Sequence, residues 1–227
     1  MKIPLFDIDG TLFKTGGQLH QEAFNYAFEK VYKIPAKQTD IQPEGMTDKQ
    51  IIIEVLKVHG ISPEVSRQKV EQAMAQMSKY FVSHKEEAKP VILPGVISLL
   101  KKLKEKNVPM GILSGNVETI GWTKIEQAGT RKYFSFGAFG DKTEKRAELV
   151  EIARQNAGKV LNRDLEINDF IIIGDTPKDI QCARDNGIKT VLVSTGIYSF
   201  EELQRLKPEV LVHNFEEELQ KVVDFIS

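Results

Sequence analysis

The chain has 227 residues, 41% hydrophobic and 28% charged, which is enough for one large domain or for a core with a smaller companion and excludes a fibrous or disordered protein. Its 31 basic and 32 acidic side chains nearly cancel, and neither sign forms a long block, so no electrostatic footprint for nucleic acid or an anionic membrane is present. No apolar run approaches the roughly 20 residues of a membrane helix. With no cationic leader before an apolar stretch at Met1 to Phe6, the expectation is a cytoplasmic protein.

In chain order, Ile3 to Ile8 reads as a buried strand. Residues 19 to 86 then read as helix after helix: His20, Ala23, Phe24, Ala27, Phe28 and Val31 recur at helical spacing, as do Val70, Met74, Met77 and Phe81. Thr47 with Gln50, and Ser62 before Pro63, mark helix starts.

From about residue 91 the pattern changes to short β-rich runs alternating with helices. The strands are Val108 to Leu113, Phe170 to Ile173, Thr190 to Val193 and Val210 to Val212. Helices fall at Val96 to Lys106, Glu118 to Gln127, Arg146 to Ala157, Lys178 to Asn186 and Phe200 to Leu206, with a last one from Phe215 to Ile226. Ser199 and Glu202 form a capping-box pair. Cys182, the sole cysteine, reads as a small apolar helix residue, and no intrachain disulfide can form.

This order predicts an α/β fold: a doubly wound parallel sheet with a smaller all-helical domain inserted after the first strand. Residues 1–14 and 90–227 form the core and 15–89 the helical domain, joined at Phe13 to Gly17 and Glu87 to Pro94, which are rich in Gly, Pro or charge.

The first strand ends in Asp7-Ile8-Asp9-Gly10-Thr11-Leu12. Residues i and i+2 of a strand share a side, so Asp7 and Asp9 converge where open α/β sheets bind ligands. Two such carboxylates repel unless a cation or a shared proton relieves them, and magnesium, a hard ion, suits oxygen ligands. Read structurally, the same residues are a strand end followed by an Asp-Gly turn.

The stretch resembles, residue for residue, the first motif of the haloacid dehalogenase superfamily. Gly111 to Asn116 is similar to the second motif, with Ser114, Gly115 and Asn116 as phosphate contacts beside Gly10. Ile171 to Asp179 is similar to the fourth, with Asp175 as metal ligand and Asp179 as its supporting acid or water-mediated ligand. The third motif supplies a cation. Here Lys142, Lys145 and Arg146 compete without the family's common Lys-Pro, and Arg146 is the preferred choice, with Lys145 next.

The helical insertion resembles the family's cap of the first type. The resemblance thus implies a phosphatase using Mg2+, held by Asp7, the backbone carbonyl of Asp9, and Asp175 with Asp179 beside it. Asp7 would be the nucleophile, forming an aspartyl-phosphate, and Asp9 the general acid/base. The substrate implied is a small phosphorylated metabolite, phosphoglycolate-like, and the protein a monomer or homodimer. A phosphomutase keeps every motif. A dehalogenase needs neither Asp9 nor Asp175, a phospho-acceptor domain needs no insertion, and a non-catalytic binding protein needs no intact acids. The four histidines, His20, His59, His84 and His213, read as surface or packing residues, and Glu44 to Asp48 as a candidate leaving-group loop.

Overall fold

The computed structural model describes residues 2–14, 18–87 and 90–227. Six short strands form one wholly parallel sheet: β1 (Ile3–Phe6), β2 (Gly111–Ser114), β3 (Phe136–Phe139), β4 (Phe170–Gly174), β5 (Lys189–Val193) and β6 (Val210–Val212). Their spatial order is β3-β2-β1-β4-β5-β6. The chain winds outward from β1 to β3, then crosses back to lay β4 on the other side of β1. The C-terminal end of β1 is therefore a topological switch point, where helices leave on opposite sides and a crevice opens.

Alternate residues of each strand face opposite layers. Phe6, Ile112, Ile171 and Ile173 pack with the apolar stripes of α4 (Val96–Glu105) and α9 (Leu219–Ile226). Leu5, Leu113, Phe170 and Ile172 pack instead with α6 (Glu148–Leu161) and α7 (Pro177–Asp185). Burial on both faces explains why these strands read as continuous apolar runs rather than alternating ones. Two further helices complete the α/β part, α5 (Glu118–Gln127) after β2 and α8 (Phe200–Arg205) after β5, the latter opened by the Ser199–Glu202 capping box.

Among the described residues three α-helices separate β1 from the rest: α1 (Gln18–Ala27), running on into a π turn over Phe28–Tyr32, α2 (Asp48–Val58) and α3 (Pro63–Ser83). Thr47 Oγ1 caps α2 by accepting from Gln50 N–H, and Ser62 caps α3 with Pro63 in its first turn. Phe24, Phe28, Ile52, Leu56, Met74, Met77 and Phe81 make a second hydrophobic cluster, which also takes in Val117 and Ile120 at the start of α5. The predicted joints lie partly outside the described residues, at 15–17 and 88–89. Around them the two chain passages run side by side, with Lys14 N–H donating to Val91 O at 2.8 Å and Leu93 N–H to Leu12 O at 3.1 Å.

The strand β3 has no counterpart in the sequence reading. Between two phenylalanines its middle residues, Gly137 and Ala138, have little β propensity, and the strand forms because of tertiary packing. Phe139 is 1% exposed, meets Trp122 edge-on at 5.1 Å, and fills the space that side chains at Gly121 and Gly137 would occupy. Replacing Phe139 by Ala should therefore destabilise the protein by about 3–5 kcal/mol, read from the urea-unfolding midpoint at unchanged m.

Candidate active site

The site is built at the switch point. Immediately after β1 the chain continues beside β4, Asp7 N–H donating to Ile173 O at 2.9 Å, and then turns sharply, Leu12 N–H and Phe13 N–H both donating to Ile8 O. Gly10 sits in the turn at φ +85°, and any side chain there would strike the Asp175 carboxylate. Thr11 Oγ1 donates to Asp175 Oδ1 at 2.8 Å, and Thr195 Oγ1 donates to Gly10 O at 2.6 Å, fastening the loop after β5 to the turn after β1.

Asp7, Asp175 and Asp179 bring carboxylate oxygens within 4.8 Å of one another, and all three are buried. Arg146 is the cation among them: its Nη2 lies 2.6 Å from Asp179 Oδ1 and 3.3 Å from Asp7 Oδ2. Three acids against one guanidinium leave an excess of negative charge out of water. Burial accordingly pushes the Asp7 carboxyl up to about 7, with Arg146 opposing and Asp179 reinforcing the shift. Burial likewise raises Asp175, helped by the charges of Asp7 and Asp179. Such a set of hard oxygen donors fits a divalent cation. Arg146 Nε is buried without a hydrogen-bond partner among the described residues, which leaves one donor of the guanidinium unused.

Asp179 is less available than the other two. One oxygen accepts from Thr176 N–H and Thr176 Oγ1 in the capping box of α7, and the other accepts from Arg146. The helix-capping role and the charge-holding role thus fall on the same side chain, and what Asp179 does directly is orient Arg146.

Asp9 points elsewhere. Its Oδ2 accepts from Lys124 Nζ at 2.6 Å and from Asn116 Nδ2 at 3.0 Å. Burial works to raise this carboxyl, yet the charge of Lys124 and the hydrogen bonds from Lys124 and Asn116 hold Asp9 below its ordinary range. Asn116 ties the group together: Nδ2 also reaches Ser114 Oγ at 3.0 Å, and Oδ1 accepts from Lys124 at 2.7 Å.

Of the residues singled out in sequence, Asp7, Asp9, Gly115, Asn116, Arg146 and Asp175 line one cavity of about 150 Å³, shared with Glu44, Met46 and Asp48 of the insertion. Ser114 is fully buried at the end of β2, against Asn116, and a side chain at Gly115 would strike Met46 O. Of the three competing cations, only Arg146 enters the site. Lys145 is exposed beside Glu148, and Lys142 pairs with Asp141 and Glu118.

Sequence reasoning did not find Lys124, which the structure places on the buried stripe Ile120, Gly121, Lys124, Ile125 of α5. His20 packs against Phe24 and Phe81, as a core histidine would, but it also meets Asp48 and Lys124.

The family profile of haloacid dehalogenase-like hydrolases matches residues 4–193. The chain belongs to that family. This haloacid dehalogenase-like hydrolase is 24% identical to the probable phosphatase IndB of Dickeya dadantii, the alignment spanning 65% of this chain and 64% of that one. It is 25% identical to the putative pyrophosphatase PpaX of Caldanaerobacter subterraneus over 92% of this chain and 89% of that one. Identity to a phosphoglycolate phosphatase of Caulobacter vibrioides is 24% over 92% and 86%. Among solved structures, a hydrolase from Pseudomonas syringae superposes with a TM-score of 0.75 at 19% identity, covering all of both chains. A β-phosphoglucomutase from Clostridium difficile gives 0.69 at 21% identity, covering 97% of this chain and 96% of that one. These structures share the fold.

Two outcomes follow from the electrostatics. Asp7 and Asp175 take up protons more readily folded than unfolded, so their contribution is greatest at low pH and is lost as pH rises toward about 7. In chelator-treated protein, Asp175→Asn should flatten the fall in Tm expected as pH rises from about 4 to about 7. Cys182 is buried on α7 with its thiol against Arg146 O, and burial pushes it up to about 12. A thiol-specific reagent should therefore label the hydrolase only after unfolding, and rapid labelling of the native protein would contradict this burial.

Proposed function

We propose that this hydrolase is a magnesium-dependent phosphatase of small phosphomonoesters, working through an aspartyl-phosphate on Asp7. The observation that carries the proposal is the pairing, at one strand-end crevice, of the buried Asp7–Asp175–Asp179 cluster with a buried arginine that keeps an unused donor. Phosphoryl transfer asks for charge neutralisation and alignment, and this crevice provides acids for a cation and a guanidinium for the phosphoryl oxygens. Asp7 and Asp175, with the backbone carbonyl of Asp9, would hold magnesium, which when bound offsets the charge of both phosphate and carboxylates.

In the first half-reaction the Asp7 carboxylate attacks phosphorus, while Arg146 steadies the phosphoryl oxygens from the position Asp179 gives it. Ser114 Oγ and Gly115 N–H belong to the same phosphate cradle in this proposal. The arriving phosphate adds negative charge beside Asp9 and raises its affinity for a proton. Asp9 then protonates the leaving oxygen and, in the second half-reaction, takes a proton from the water that frees Asp7. Residues 15–89 act as a cap: Glu44, Gly45, Met46 and Asp48 already wall the cavity, which limits the leaving group to a small one. Phosphoglycolate-like compounds and pyrophosphate, the substrates in the relatives' names, are of that size.

A panel of metabolite phosphates assayed for phosphate release tests the proposal, and isomerised sugar phosphate without release would favour a mutase instead. Asp7→Asn should abolish turnover, and EDTA should do so reversibly. Magnesium should raise the Tm of wild type but not of Asp175→Asn, a readout independent of activity.

A further inference from the structure

Lys124 is a lysine with 6% of its surface exposed, and all three of its ammonium protons are engaged. They go to Asp9 Oδ2 at 2.6 Å, Asn116 Oδ1 at 2.7 Å and His20 Nδ1 at 3.4 Å. Because the ammonium donates, His20 Nδ1 accepts, and the ring proton belongs on Nε2, which faces Asp48 Oδ2 at 3.1 Å. Asp48 Oδ2 also accepts from Val117 N–H at 2.8 Å, and Asp48 N–H donates to Gly115 O at 2.7 Å. A continuous chain of polar contacts therefore runs from the helical insertion, through Asp48 and His20, to Lys124 of α5 and Asp9 after β1. All four side chains line the same cavity.

The geometry at Asp9 is specific. Lys124 and Asn116 both grip Oδ2, and Oδ1 has no hydrogen-bond partner among the described residues. One oxygen is clamped and the other is presented. We infer that Lys124 is a positioning residue for proton transfer: seated by His20 of the insertion, it fixes the Asp9 carboxyl so that Oδ1 meets the leaving-group oxygen. The inference rests on the phosphatase reading above and assigns Lys124 and His20 a task within it.

In the step concerned, the bond between phosphorus and the bridging oxygen breaks, its electron pair stays on that oxygen, and the proton of Asp9 Oδ1 moves to it. The need for that proton depends on the leaving group. An alkoxide is too basic to depart without it, whereas a nitrophenolate departs readily unprotonated. Loss of Lys124 should consequently be felt through leaving-group basicity, and a merely structural lysine would not discriminate.

The test compares kcat/KM, which reports the first phosphoryl transfer, for the best alkyl phosphate of the metabolite panel and for p-nitrophenyl phosphate, with magnesium present. Lys124→Met should lose about 100-fold or more on the alkyl ester and less than about fivefold on the aryl ester, the range expected when a general acid is misplaced. Lys124→Arg should recover part of the alkyl activity, and His20→Gln should show the same selective pattern to a smaller degree. Equal losses on both esters in a protein of unchanged Tm would overturn the inference. Should Lys124→Met fail to fold, Lys124→Arg and His20→Gln carry the same comparison. Wild-type protein that releases phosphate from neither ester sinks the phosphatase reading itself, a result distinct from equal losses in an active enzyme.

Discussion

The structure depends above all on a concentration of negative charge in a place that excludes water. Parallel strands deliver their C-terminal residues to one edge, and in this chain β1 and β4 end in acids that the sheet then buries. Buried carboxylates of like sign are costly to ionise, and one arginine does not offset three of them. Much of the surrounding architecture answers that problem. Thr11 supports Asp175, Thr176 supports Asp179, and Asp179 holds Arg146 against Asp7. The folded state carries a liability that only a cation, a proton or a substrate of suitable charge pattern can relieve.

The two acids of the first strand are treated very differently by this environment. Asp7 has burial and like charge around it, which favours its protonated form when no cation is bound, while Asp9 has a lysine that favours ionisation. Residues two apart in sequence thus acquire opposed electrostatic settings, because the turn at Gly10 and the stripe of α5 approach them from different sides. Divergence of paired carboxylates is the usual means by which one site supports two chemical roles.

Much of the fold was legible in the sequence because burial on both faces turns parallel strands into short apolar runs. Helix α5 and strand β6 have the bounds their residue patterns suggest. The exception, β3, shows the limit: Gly137 and Ala138 carry little local preference, and the strand exists because Phe139 finds a slot against Trp122. At the site, the acids were legible because they cluster at strand ends within a few residues of each other. Arg146 could be narrowed only to three neighbouring cations, since nothing local distinguishes a buried arginine from its exposed neighbours. Lys124 and His20 were opaque for a related reason. Each belongs to an apolar helical stripe whose partner lies about a hundred residues away, and only the contact of His20 with Lys124 reveals that the stripe is interrupted by charge.

The two chain passages into and out of the helical insertion lie hydrogen-bonded side by side, Lys14 to Val91 and Leu93 to Leu12. Because the ends of the insertion meet, its length has little bearing on the sheet: closing a longer or shorter excursion between two adjacent points changes the entropy only slowly with residue number. What binds the two parts is instead the set of contacts away from the joints, where His20 reaches Lys124 and Asp48 accepts from Val117 N–H, so the insertion is free in length but not in where it rests.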